Sequence, residues 1–163
     1  MIWSEGITRY DIAITLRLLE RKFYRVESDL YIYRAQDDFG ALGDVSPCYD
    51  TADQCERNMT RLASFQVRIA PDPGWAHDDE EEGVLLHELV HVAQMERRGL
   101  GRPPTSDWLD AHVDGDGNLD RSGSIAYYRI FPYEREAKAL EIGLVFRPAN
   151  RDYWRGILAG SAG

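Results

Sequence analysis

The sequence predicts a single α+β domain, and three observations carry the prediction. Apolar residues recur at helical spacing near both ends of the chain, and two short runs alternate apolar with polar residues in the manner of strands. The length of 163 residues, 44% of them hydrophobic, suits one core spanning 1–163 and is too short for two of ordinary size.

Each element follows from local pattern. Ile12, Leu16, Leu19 and Phe23 recur at i, i+4, i+7 and i+11, with Arg17, Glu20, Arg21 and Lys22 between them, which predicts an amphipathic helix over 8–24. Leu30-Tyr31-Ile32-Tyr33 and Phe65-Gln66-Val67-Arg68-Ile69 read as strands with one buried and one solvated face, and Pro71-Asp72-Pro73-Gly74 ends the second. Between them, 37–53 carries Gly40, Gly43, Pro47 and several Asp and reads as an irregular connection, followed by a short helix over 52–62. The next helix contains Val84-Leu85-Leu86-His87-Glu88-Leu89-Val90-His91-Val92-Ala93-Gln94. Asp78 with Glu81 fits a capping box at its start, where Asp79, Glu80 and Glu82 favour the positive end, and Arg97-Arg98-Gly99 suits its negative end. The acidic run is thus helix chemistry rather than a calcium or basic-peptide site. Residues 99–123 are rich in Gly, Pro and Asp and read as irregular, 132–144 as a final helix, and Tyr153-Trp154-Ile157-Leu158 as a short docking segment.

The formal net charge of -9 argues against a nucleic-acid or anionic-membrane partner, because both would be repelled. No run reaches transmembrane length, and Met1-Ile2-Trp3-Ser4-Glu5-Gly6 has neither a basic segment nor an apolar stretch of signal type, so a cytoplasmic location is expected. Cys48 and Cys55 lack the C-x-x-C spacing of a zinc ribbon; the pair can close a disulfide, but reduced thiols are the expected state.

The stretch that carries chemistry is His87-Glu88-Leu89-Val90-His91. On a helix the two histidines lie one turn apart on one face, so both imidazoles can reach one Zn²⁺, with Glu88 beside the open position. Catalytic zinc normally has three protein ligands and a water, so a third ligand is needed. The other histidines, His77 and His112, do not extend the motif, and Gln94 stands where the extended all-histidine pattern needs Gly. The remaining source is a carboxylate in Pro132-Tyr133-Glu134-Arg135-Glu136-Ala137. Tyr133, Ala137, Leu140 and Leu144 define the apolar stripe of that helix, and Glu134 and Glu136 fall on its two margins, so periodicity leaves both open.

With these two segments the chain resembles the gluzincin peptidases, and especially small bacterial zincin domains pairing H-E-L-x-H-x-x-Q with a later P-x-E-x-E-A. The resemblance covers about a third of the chain, counting the helices that carry the motifs. It implies a zincin-like α+β fold: an N-terminal helix, a small mixed or antiparallel sheet, an active-site helix and a downstream Glu-bearing helix. It also implies that the strand before the motif helix, Phe65 to Ile69, is the edge strand along a substrate cleft. The family pattern E-x-x-A/S-D assigns the third ligand to Glu134, with Glu136 the alternative. The pattern then breaks at Lys138, where relatives carry an Asp that supports a zinc histidine; Glu141, on the Glu134 side, is the candidate substitute.

The implied function is zinc-dependent hydrolysis of a peptide or protein substrate, with one Zn²⁺ per chain and Glu88 as general base. Donors for the developing oxyanion are available in Tyr127, Tyr128, Arg129, Tyr133 and His112, and Gln94 shares the histidine face one turn on. The segment 112–123 has the Gly/Asp core of an EF-hand loop but His112 and Gly123 at the positions of its strongest ligands, so a plain turn is expected and Ca²⁺ is not. Two competing readings stand beside the peptidase: a catalytically weak or inactive zincin-like zinc-binding module acting in protein interaction or regulation, and a metal-free domain with an accidental motif.

Overall fold

A computed structural model describes residues 2–37, 39, 41–48, 64–71, 80–97, 106–112 and 119–162. The chain folds as α+β. Strand β1 (Ile2–Glu5), helix α1 (Arg9–Glu20) and strands β2 (Leu30–Arg34), β3 (Gly43–Pro47) and β4 (Phe65–Ile69) are followed by helices α2 (Glu80–Arg97), α3 (Ser106–His112), α4 (Arg121–Ile130), α5 (Pro132–Leu144) and α6 (Pro148–Ser161). The four strands form one mixed sheet in the order β1-β2-β4-β3, with β1, β2 and β4 parallel and β3 antiparallel to β4.

Helix α1 starts at the Thr8 cap, whose hydroxyl accepts from the Asp11 amide at 3.1 Å, and buries Ile12, Thr15 and Leu19. It stops at Glu20, short of the predicted end. Phe23 adopts φ 66°, a left-handed turn that closes the helix, and its ring is 86% exposed instead of joining the apolar stripe. The alternation of β2 also misled. Leu30 and Ile32 face the helices, but Tyr31 and Tyr33, stacked at 4.9 Å, are buried on the opposite face, so neither face is solvated. On β4, Val67 and Ile69 join the core while Gln66 is buried on the other side.

The edge strand differs from the expectation. Phe65–Ile69 lies inside the sheet, and the edge beside it is Gly43–Pro47, a stretch expected to be irregular. Gly and Pro weaken a strand signal, but both are tolerated at an edge, where one side of the backbone needs no ladder partner. The short helix expected over 52–62, with the Asp78–Asp79 and Arg98–Gly99 parts of the helix-end predictions, lies outside the described residues. The Glu81 carboxylate takes both arms of the Arg34 guanidinium; its predicted capping-box partner, Asp78, lies outside the described residues. Cys48 is disulfide-bonded rather than reduced, and the chain's other cysteine, Cys55, lies outside the described residues.

Helix α2 runs through the middle of the core, which explains why its apolar residues surround it. Leu85, Leu86, Leu89, Val90 and Val92 are buried and packed with Ile12, Leu19, Ile32, Val67 and Ile69, and Ala93 is buried as well. Its far end is anchored by Glu96, which accepts from the Ser28 amide at 2.8 Å, and by Arg97, which donates to the Phe23 carbonyl at 2.6 Å. Ala137 brings α5 onto the same cluster. A second cluster, Tyr128, Ile142, Phe146, Ile157 and Leu158, joins α4, α5 and α6. Within the stretch 99–123 expected to be irregular, 106–112 form α3 and 121–123 begin α4, while 99–105 and 113–118 lie outside the described residues; the docking segment at 153–158 is part of the 14-residue α6. Asp120 caps α4 by accepting from the Gly123 amide at 2.6 Å, so it is committed to the helix; 113–118 of the EF-hand-like segment lie outside the described residues.

Candidate metal centre

The centre is built where α5 crosses α2. His87 and His91 sit one turn apart with rings edge-to-face at 4.7 Å. Pro132 starts α5, its fixed φ suiting the first helical position, and Glu134 follows in the first turn. Ala137, fully buried one turn later, lets that turn approach α2 closely. One carboxylate therefore spans both rings: Glu134 Oε2 is 2.9 Å from His87 Nε2, and Oε1 is 3.2 Å from His91 Nε2. Ligand atoms of His87, His91 and Glu134 all lie within 4.8 Å of one another, a group that could hold a metal ion. Glu136 faces elsewhere and accepts from Gln94 Nε2 at 3.1 Å. The geometry thus brings Glu134, not Glu136, to the histidines.

The far nitrogens decide whether the group fits a metal. His91 Nδ1 lies 2.7 Å from Gln94 Oε1, while Gln94 Nε2 donates to the Tyr133 carbonyl at 3.0 Å and to Glu136. Two acceptors on the Nε2 side fix the amide's orientation, so Oε1 faces the ring and His91 Nδ1 carries the proton. That leaves a lone pair on His91 Nε2. This nitrogen is buried and, although 3.2 Å from Glu134, is not aligned with it for a hydrogen bond. A buried imidazole nitrogen that is aimed at a carboxylate and has no hydrogen-bond partner is what a metal ligand requires. His87 is arranged alike: its Nδ1 lies 3.1 Å from Glu141 Oε1.

Charge reinforces the geometry. Burial pulls the His87 pKa down, but the Glu134 and Glu141 carboxylates outweigh it and raise the ring's pKa to about 10, so the metal-free site attracts a proton strongly and a divalent cation for the same reason. Burial raises Glu134, yet the hydrogen bond and charge of His87 hold it well below the usual carboxylate range. Glu141 is also lowered against burial, chiefly by Lys138, whose Nζ donates to Oε1 at 2.7 Å. Glu88 goes the other way: burial pushes it up to about 7, with His87 and His91 pulling back.

Glu88 opens onto a cavity of about 730 Å³ that contains all three candidate ligands in its wall. The edge strand forms one side, and Gly43 is what allows it so close: a Cβ there would lie 2.7 Å from Val84 Cγ1 and 2.9 Å from Glu88 Cγ. Tyr127, Tyr128, Tyr153 and Trp154 also line the cavity. Burial raises the hydroxyls of Tyr127 and Tyr128, and Tyr127 donates to Glu134, so both stay neutral hydrogen-bond donors. The remaining oxyanion candidates have other positions. Tyr133 packs edge-on to His91 at 6.0 Å, His112 stacks on Trp108 at 4.2 Å, and Arg129 donates to the Gly160 carbonyl.

Gly43, Asp44 and Val45 fall in 37–53, one of the two irregular stretches expected to line the cleft, and they line it as part of an edge strand. Sequence reasoning missed Tyr153 and Trp154, which were visible as an apolar segment without a destination. No family model, curated protein or solved structure matches the chain.

Proposed function

We propose that the chain is a zinc-dependent peptidase of the gluzincin type with a zincin-like fold, its metal held by His87, His91 and Glu134. One observation carries the reading: two imidazoles whose Nδ1 atoms are held by protein acceptors turn both Nε2 atoms toward one carboxylate, with Glu88 beside them at an open cavity. Two nitrogens and a carboxylate oxygen with room for a water are the donor set of catalytic zinc. When bound, the metal would polarise the scissile carbonyl and acidify water.

The protein's own residues supply the rest. Glu88, with its pKa raised to about 7, takes a proton from the attacking water as the oxygen adds to the carbonyl carbon, and returns it to the amine nitrogen as the C–N bond breaks. Tyr128, which lines the same cavity, is the donor available to the developing oxyanion, because Tyr127 already donates to Glu134. An extended substrate segment would pair with the outer edge of Gly43–Pro47 rather than with Phe65–Ile69. No described helix is long and apolar enough to cross a membrane. In a reducing cytoplasm the Cys48 disulfide would open, whereas an oxidising compartment would preserve it; thiol alkylation of freshly extracted protein distinguishes the two.

Purified protein should hold about one zinc per chain, as the three-ligand site requires. Glu88→Gln should keep that zinc and lose peptide turnover. Zinc-free protein would sink the proposal, and zinc-loaded protein whose turnover equals that of Glu88→Gln would leave the inactive zinc module.

A further inference from the structure

Lys138 stands where the resemblance expects an acid, and its surroundings give it a task. The Nζ atom donates to Glu141 Oε1 at 2.7 Å, and that same oxygen lies 3.1 Å from His87 Nδ1. The ammonium is seated over the rings of Trp154, at 4.6 Å from the centroid, and Phe146, at 5.5 Å. Its side chain is 13% exposed and that of Glu141 only 3%, so the pair is held away from solvent. The other carboxylate oxygen is packed with equal care. A Cβ at Gly83, one turn before His87, would lie 2.8 Å from Glu141 Oε2 and 3.1 Å from Phe146 Cε1, so only glycine leaves space for the carboxylate there. The acid that meets His87 is thus Glu141, one turn after Lys138 along α5.

We infer that Lys138 is a positioning residue for the metal centre: by pinning Oε1 of Glu141 it holds that carboxylate on His87 Nδ1, and so orients a ligand that Lys138 itself never touches. A buried carboxylate bound to one imidazole alone can swing about its side-chain torsions, whereas one bound from two directions cannot. The inference rests on His87, His91 and Glu134 being metal ligands.

Zinc affinity of the full-length protein, measured by competition with a chromophoric chelator, tests it through a double-mutant cycle. Lys138→Met should weaken zinc by about 10-fold and Glu141→Leu by about 10- to 100-fold, the range for outer partners of a ligating histidine. The double variant should be no weaker than Glu141→Leu, because Lys138 has nothing left to position. The Co²⁺ absorption bands should shift in Lys138→Met but not between Glu141→Leu and the double variant. If Lys138→Met folds poorly, Lys138→Gln, which is too short to reach Oε1, runs the same cycle. A Lys138 effect of equal size in both backgrounds, or no effect in either, overturns the inference while zinc binding by the native protein leaves the peptidase reading standing. Native protein that binds no zinc overturns both.

Discussion

His87 and His91 face the same carboxylate one helical turn apart, but their outer nitrogens are supported by different chemistry. Behind His87 stand Glu141 and Lys138, a buried ion pair. Behind His91 stands the neutral amide of Gln94, itself tied to the Tyr133 carbonyl and to Glu136. The neutral arm costs little desolvation and fixes orientation through three hydrogen bonds. The charged arm brings a stronger hydrogen bond and more negative potential, and it needs Lys138 to be tolerable away from water. The difference teaches that one motif can be completed by two kinds of support, only one of which depends on the rest of α5 for charge balance.

The largest effect should come from the group the two arms share. Glu134→Gln replaces a carboxylate that reaches both Nε2 atoms by a neutral amide, and zinc affinity should fall by more than the roughly 100-fold upper range of an outer partner. Glu136→Gln should change affinity by less than about 2-fold, since that carboxylate only accepts from Gln94 and an amide oxygen can do the same. Chelator competition on the two variants measures both. Equal losses would mean that the carboxylates share the metal and that the contrast between the arms is misdrawn.

Next in size is the neutral arm. Gln94→Leu leaves His91 Nδ1–H and the Tyr133 carbonyl without their partner, and zinc affinity should drop by about 10-fold, the lower end for outer partners, with no change in the His87 arm. Because the two arms share no group behind the histidines and converge only at Glu134, combining Gln94→Leu with Glu141→Leu should give additive losses in free energy. Strong non-additivity would show that the arms act as one unit.

How much of this was legible beforehand depended on whether the signal was local. The helix bearing Glu134 was predicted at 132–144 and found as Pro132–Leu144, because its Pro start and apolar stripe lie within a few residues of one another. His87, Glu88 and His91 were equally readable, since the chemistry needs them at fixed spacing on one helix. The choice of Glu134 over Glu136 was beyond periodicity, which put the two on opposite margins of one stripe, and came from a family pattern that the geometry then matched. Gly43–Pro47 could not be read, because an edge strand containing Gly and Pro has almost no β signal of its own and is defined by the neighbour it pairs with. Lys138 looked like a defect for a related reason. Its meaning depends on Glu141 one turn later, on Gly83 in another helix and on Trp154 in a third, and no short window contains them all.

The smallest change makes the two arms chemically alike. Glu141→Gln keeps an oxygen that can accept from His87 Nδ1 and from Lys138, but removes the charge, so His87 becomes supported as His91 is. A hydrogen bond to a charged group is worth about 1.5–3 kcal/mol and a neutral one about 0.5–1.5, and the difference of about 1 kcal/mol corresponds to roughly a 5-fold loss in zinc affinity. That is less than the loss expected for Glu141→Leu, which removes charge and hydrogen bond together. If Glu141→Gln instead weakens zinc as much as Glu141→Leu, the negative charge is what the His87 arm contributes and the orientation of the ring counts for little. If it binds as well as the native protein, the charge is fully cancelled by Lys138, and the two arms differ in chemistry without differing in effect.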